Sequence, residues 1–319
     1  VSVVLSVLAA VFVFVCGAND GGALLALALR HREVAGIAML GLLLAAIVAG
    51  PRLFGLGVAH AFTGRLVASG DRGGQPIVVI GVAAAVALVL VLTWRGVPTS
   101  VTLAIIGGLA GAGLGLGLMP SWTTLATMLG IGAAAPLVGG LLGYLLGVLA
   151  LRVPTTGRAS ATVRLAHVGA FGCQCLAYAA NDGQKMFAVA AVAVAAVHGS
   201  AELSLPVLSA VAALFAAGAL TSLRRMSRGA TFSLSPPRPW QIVSAEIASS
   251  AAVFGTAGLG VPVSMTQSVA AGLVGVGASQ GARRVRWQYA VPILISWLVT
   301  LPASFGMAAV AGLAVRGLR

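Results

Sequence analysis

The chain has 319 residues, 59% of them hydrophobic and only 8% charged, with a mean hydropathy of +1.06 and a formal net charge of +13. Soluble domains carry about 25% charged residues, so this composition excludes an ordinary soluble domain and identifies an integral membrane protein. The positive charge is no nucleic-acid signature: the arginines sit in short gaps between apolar segments, with no long basic run and no aromatic–basic interleaving.

Apolar segments fall at 2–29, 34–59, 76–94, 97–118, 121–151, 165–197, 204–223, 240–259, 261–278 and 288–315. No basic residues precede the first, so no cleaved leader is expected. A helix needs about 20 residues to cross the hydrocarbon core. The 97–118 and 261–278 segments are Gly-rich and begin at Pro98 and Pro262, which suits re-entrant or broken helices with proline in the first turn. The long 121–151 stretch contains Pro136, where it kinks or divides. The expected fold is an all-α membrane protein with about ten to twelve crossings or hairpin arms.

Two motifs occur twice. Ala18-Asn19-Asp20-Gly21 returns 162 residues later as Ala180-Asn181-Asp182-Gly183. At an offset of 164, Gly96-Val97-Pro98-Thr99-Ser100-Val101-Thr102 meets Gly260-Val261-Pro262-Val263-Ser264-Met265-Thr266. The chain therefore divides into a repeat over 1–151, a polar cytoplasmic linker over 152–164 and a second repeat over 165–319. With the N-terminus outside, alternating segments put 13 arginines on the cytoplasmic side and five (Arg52, Arg65, Arg72, Arg316, Arg319) outside. The halves then have opposite orientation, an inverted repeat.

An Asp at the centre of a membrane helix costs roughly 2.5–3.5 kcal/mol, so such residues mark pathways for substrates or ions. Asp20 and Asp182 offer carboxylates for a cation or proton. Asn19 and Asn181 add amide donors and acceptors. Gly21 and Gly183 permit the backbone to leave helical geometry. Ser100, Thr102, Ser264 and Thr266 belong near helix N-termini, where free N–H groups and the positive dipole end attract oxyanions. Lys185, the only lysine, follows Asp182 by three residues and can pair with it on one helix face. Glu246 fits either a cation path or the cytoplasmic end of its helix. His60, His167 and His198 read as loop or interface residues without a role. Cys16, Cys173 and Cys175 read as small buried thiols, and the glycines at 107–117 and 272–277 as close helix-packing positions. No nucleophile–base pair, metal-ligand cluster or nucleotide loop is present, so neither an enzyme nor a cofactor is expected.

These motifs resemble the inorganic phosphate transporter (PiT) family, whose halves each carry a Gly-Ala-Asn-Asp motif followed by a Pro-x-Ser-x-Thr hairpin element. Gly17-Ala18-Asn19-Asp20 and Ala180-Asn181-Asp182-Gly183-Gln184-Lys185 are similar to the first element, Pro98–Thr102 and Pro262–Thr266 to the second, and Trp297–Pro302 to the family's last span. The chain departs from the pattern at Ala23, Val101, Leu103, Ala179, Met265 and Gln267, where the family commonly offers Asn, Thr, His or Gly. The resemblance implies a multi-pass protein of the cell membrane that moves inorganic phosphate with Na⁺ or H⁺ by alternating access. Asn19, Ser100, Thr102, Asn181, Ser264 and Thr266 would then hold phosphate, and Asp20 and Asp182 the coupling ion. Gln184, Lys185 and Glu246 would be accessory. Phosphate and membrane lipid are the expected partners, a homodimer is compatible with the sequence, and nucleic acid is not a partner. Sulfate transport by the same fold, or a non-transporting membrane subunit or sensor, stands as the alternative.

Overall fold

A computed structural model describes residues 2–30, 34–66, 74–94, 99–152, 159–228, 234 and 239–318. Arg95, Val97, Pro98 and residues 153–158 of the expected linker lie outside the described residues.

Both Asn-Asp tetrapeptides fall where a long apolar helix is interrupted. The first helix runs as α1 (Ser2–Cys16), a π-helical turn over Gly17–Gly21 and α2 (Gly22–Ala28). Its counterpart runs as α8 (Ala159–Ala180), a turn at 181–183 and α9 (Gln184–His198). Such breaks in membrane helices are tolerated where the freed groups are buried in protein or face a cavity.

Around these lie α3 (Gly36–Phe54), the short α4 (Gly57–His60) with a π turn at Ala61–Arg65, α5 (Gly74–Trp94), α6 (Val101–Gly115) and α7 (Trp122–Ala150). In the second half come α10 (Leu205–Ser227), α11 (Pro239–Ala257), α12 (Met265–Ala278) and α13 (Trp287–Gly317). Six stretches are long and apolar enough to cross a membrane: Ser2–Ala28, α3, Gly74–Thr93, α7, α10 and α13. With α6, α8–α9, α11 and α12, the described residues make ten apolar arms, the lower end of the expected range. α11 differs in its burden of buried polar groups, Gln241, Ser244, Glu246, Ser249 and Ser250.

α5–α6 and α11–α12 form hairpins. Beyond α6, the Ser121 amide donates to the carbonyl of Leu66, which precedes α5 (2.8 Å). Beyond α12, the Arg286 amide donates to Leu234, which precedes α11 (2.9 Å). Each hairpin therefore leaves and returns at one end of the bundle, as the Gly-rich segments lead one to expect. Arg30 donates to the Ser227 carbonyl (3.3 Å), so the gaps after α2 and α10 also share an end. The glycines act as packing positions: a Cβ on Gly111 would collide with the Phe305 carbonyl of α13, and one on Gly275 with the Gly140 carbonyl of α7. Without a hydrophobic drive between helices in lipid, such close approach supplies the dispersion contact.

Several expectations need correction. α7 is one continuous helix with Pro136 inside it, so the stretch does not divide. α8 already begins at Ala159, which makes the second part of the 152–164 segment helical rather than linker. Pro262 lies in the non-helical run ahead of α12, where Ser264 is the extended N-cap residue, and so is not in the first turn. Cys173 is exposed, unlike Cys16 and Cys175.

Candidate substrate and cation site

The two breaks and the two hairpin tips converge on one ammonium group. Lys185 follows the second break and is fully buried. Its Nζ lies 2.6 Å from Asp182 Oδ1, as the i,i+3 spacing leads one to expect. It also lies 2.6 Å from Asp20 Oδ2, 165 residues away in the first half of the chain. A third contact reaches Thr102 Oγ1 at 3.3 Å. One ammonium thus serves two carboxylates that are both essentially inaccessible to solvent.

Each carboxylate is further tied. Asp20 accepts from Asn19 Nδ2 (2.8 Å) and from the Tyr178 hydroxyl (3.3 Å). Asp182 accepts from Thr102 Oγ1 of the first hairpin (2.5 Å) and from the Met265 amide at the head of the second (3.0 Å). Asp182 therefore joins both hairpins. Charge-assisted bonds of this kind are roughly twice as strong as neutral ones, and they compensate part of the cost of burying three charges.

The asparagines hold the hairpin tips at equal sequence distance. Asn19 Nδ2 reaches the Thr99 carbonyl (3.4 Å), 80 residues on. Asn181 Nδ2 reaches the Val261 carbonyl (3.0 Å), also 80 residues on, while its Oδ1 accepts from the Val263 amide (3.0 Å). Asn181 Nδ2 also donates to Thr256 Oγ1 (3.1 Å). At the tips, Ser100 is the N-cap of α6 and accepts from the Leu103 amide (3.3 Å). Ser264 makes no such cap; its hydroxyl meets that of Thr266 at 3.0 Å. Thr99 and Thr300 of α13 share a hydroxyl contact of 3.0 Å.

Of the residues singled out in the sequence, Asn19, Asp20, Ser100, Thr102, Asn181, Asp182, Lys185, Ser264 and Thr266 are brought together. Gln184 faces the other way: its Oε1 accepts from the amides of Val58 and Ala59 (3.0 Å each), capping α4. Glu246 is not part of this cluster. It pairs with His167, whose expected loop or interface position is wrong, since both side chains are wholly buried. Tyr178, Thr256 and Thr300 carry no site role in the sequence reading; partners far along the chain, Asp20, Asn181 and Thr99, bring them to the cluster.

Comparisons with known proteins address the family and the fold. The model of the phosphate transporter family matches residues 152–308. A probable low-affinity inorganic phosphate transporter of Rhizobium meliloti is 30% identical over 223 residues, 67% of each chain. One from Bacillus subtilis is 28% identical over 247 residues, covering 75% of this chain and 74% of the relative. Among solved structures, a sodium-dependent phosphate transporter shares the fold with a TM-score of 0.82 at 18% identity, over 100% of this chain and 99% of that one. The chain is a multi-pass membrane protein and belongs to the phosphate transporter family.

Proposed function

We propose that the protein is a symporter of inorganic phosphate in the cell membrane, driven by Na⁺ or H⁺. It is built from two inverted repeats over 1–151 and 165–319 that alternate access to the cluster at their junction. The observation that carries the reading is the single Lys185 ammonium held 2.6 Å from each of two buried carboxylates. Family membership and the relatives' names supply phosphate as the substrate.

Coupling follows from charge. Bringing a dianion into a cell 100 mV negative inside costs about 4.6 kcal/mol, twice the roughly 2.3 kcal/mol of one charge. Two or more cations moving with it offset that cost. In the cluster, two carboxylates and one ammonium leave a formal charge of −1, which repels phosphate. Phosphate offers Lys185 a new partner, and the N-termini of α6 and α12, the hydroxyls of Ser100, Thr102, Ser264 and Thr266 and the amides of Asn19 and Asn181 supply further donors. As Lys185 turns to the anion, Asp20 and Asp182 lose their counter-charge and take up the coupling cations. Anion and cation enter together because one ammonium cannot serve both.

Uptake of radiolabelled phosphate into proteoliposomes tests the proposal. A cation gradient should drive phosphate accumulation that arsenate inhibits and sulfate does not. Inhibition by sulfate instead would favour the sulfate permease. No uptake of either anion would favour a non-transporting subunit, in line with the departures at Ala23, Leu103 and Gln267.

A further inference from the structure

Away from the aspartates, a second buried charged pair joins three helices. His167 of α8 places Nδ1 2.8 Å from Glu246 Oε2 of α11. Its Nε2 lies 2.8 Å from the carbonyl oxygen of Ala28, in the last residue of α2. Both side chains are inaccessible to solvent. Glu246 Oε1 is buried with no hydrogen-bond partner among the described residues.

The chemistry of the partners fixes the proton count. A carbonyl can only accept, so Nε2 carries a hydrogen. Nδ1 and Oε2 are then a lone-pair nitrogen and a carboxylate oxygen, which repel at 2.8 Å unless a proton lies between them. The pair as it stands holds one exchangeable proton, written equally as imidazolium–carboxylate or as imidazole–carboxylic acid. Loss of that proton leaves a buried, uncompensated carboxylate facing a lone pair, and the contact must open.

Opening it changes the helix packing. Ala28 is the last residue of α2, in the turn where helix carbonyls take partners from outside the helix, and α2 continues the broken helix that carries Asn19 and Asp20. α8 leads into Asn181 and Asp182, and α11 leads to the second hairpin tip. Polar side chains continue along the α8–α11 seam toward the central cluster. Gln174 Nε2 donates to Ser249 Oγ (2.8 Å), and Asn181 Nδ2 to Thr256 Oγ1 (3.1 Å). His167 and Gln174 are seven residues apart and share one face of α8, and Asn181, seven residues further, lies in the turn that ends this helix. Gln174 Oε1, like Glu246 Oε1, is a buried acceptor without a partner among the described residues.

Other titratable groups on the surrounding elements are few. α8 carries Arg164, Cys173, Cys175 and Tyr178, and Arg30 follows α2. α3 carries Arg52, α7 Tyr144 and α10 Arg224 and Arg225, while α12 has none and α11 only Glu246. His167 and Glu246 are thus the pair on these elements poised to exchange a proton with each other.

We propose that His167 and Glu246 form the binding site for the coupling proton of this carrier. The inference rests on the symport reading given above. It assigns H⁺ as one of the coupling cations and gives it a seat apart from the phosphate cluster, in addition to the cations taken up at Asp20 and Asp182. The pair loads a proton from the outer side, carries it neutral through the transition, and releases it when the α2–α8–α11 junction opens to the cytoplasm.

The test uses the full chain in liposomes with two assays, phosphate accumulation driven by an imposed pH gradient and phosphate–phosphate exchange at symmetric pH. Wild type should do both. Glu246→Gln and His167→Gln should lose gradient-driven accumulation and retain exchange, since substrate binding and reorientation need no net proton release. Glu246→Asp, which keeps the acid one methylene back, should restore accumulation with a displaced pH profile. Accumulation at the wild-type level in both Gln variants would overturn the assignment, and so would folded Gln variants that have lost exchange as well, because the pair would then be structural. Wild-type uptake that follows a Na⁺ gradient and ignores pH would overturn it while leaving the symport reading intact. Absence of exchange in wild type would remove the symport reading itself, and this inference with it.

Discussion

Lys185 Nζ and Asp20 Oδ2 meet at 2.6 Å across 165 residues of chain, and this contact closes the two halves of the protein onto one charge. Lys185 also holds Asp182, so removing the lysine leaves two buried carboxylates without a counter-charge. Breaking a buried ion pair by deleting one partner costs about 3–5 kcal/mol. Lys185→Met should lower thermal stability in detergent by that order and abolish phosphate uptake. Asp20→Asn together with Lys185→Met should recover part of the stability and none of the uptake; a double-mutant cycle checks both.

Asp20→Asn and Asp182→Asn behave differently from the lysine variant. In each, Lys185 keeps one carboxylate, so the protein should fold, as judged by a single monodisperse peak in size-exclusion chromatography. Phosphate uptake should nonetheless vanish in both. Asp182→Asn should be the less stable of the two, because Asp182 alone binds both hairpins, through Thr102 and the Met265 amide.

The two hairpin serines separate capping from substrate contact. Ser100 caps α6 and Ser264 does not cap α12. Ser100→Ala should cost about 1 kcal/mol of stability, whereas Ser264→Ala should stay within about 0.5 kcal/mol. If both hydroxyls touch phosphate, both variants should raise the KM of uptake despite this difference in stability.

Gln184 is expected to be structural. Gln184→Leu leaves the buried amides of Val58 and Ala59 without an acceptor, at about 1–3 kcal/mol. Hydrogen exchange across 57–65 should accelerate, and the phosphate KM of the folded fraction should not change.

How much of this was legible in the sequence depends on the range of each interaction. The Asp182–Lys185 pair is readable because three residues of helix set both side chains on one face. The breaks at 17–21 and 181–183 are readable because Asn, Asp and Gly cluster inside apolar runs. The hairpins show themselves through the repeated Pro-x-Ser-x-Thr element and short Gly-rich arms. Asp20–Lys185 is not readable, since nothing local to either residue specifies a partner 165 positions away. His167 reads as a loop or interface residue for the same reason: Glu246 lies 79 residues on and the Ala28 carbonyl 139 residues back, and nothing local specifies either. Gln184 reads as an accessory residue by its place beside Lys185. The helical turn instead sends its side chain to α4.

The most direct test of the account is accumulation of labelled phosphate by proteoliposomes under imposed H⁺ or Na⁺ gradients, for wild type, Asp20→Asn and Asp182→Asn side by side. The account predicts that one of these gradients concentrates phosphate in wild-type vesicles and in neither variant. Equal accumulation in wild type and both variants, or wild-type uptake no greater than that of protein-free liposomes, would contradict it.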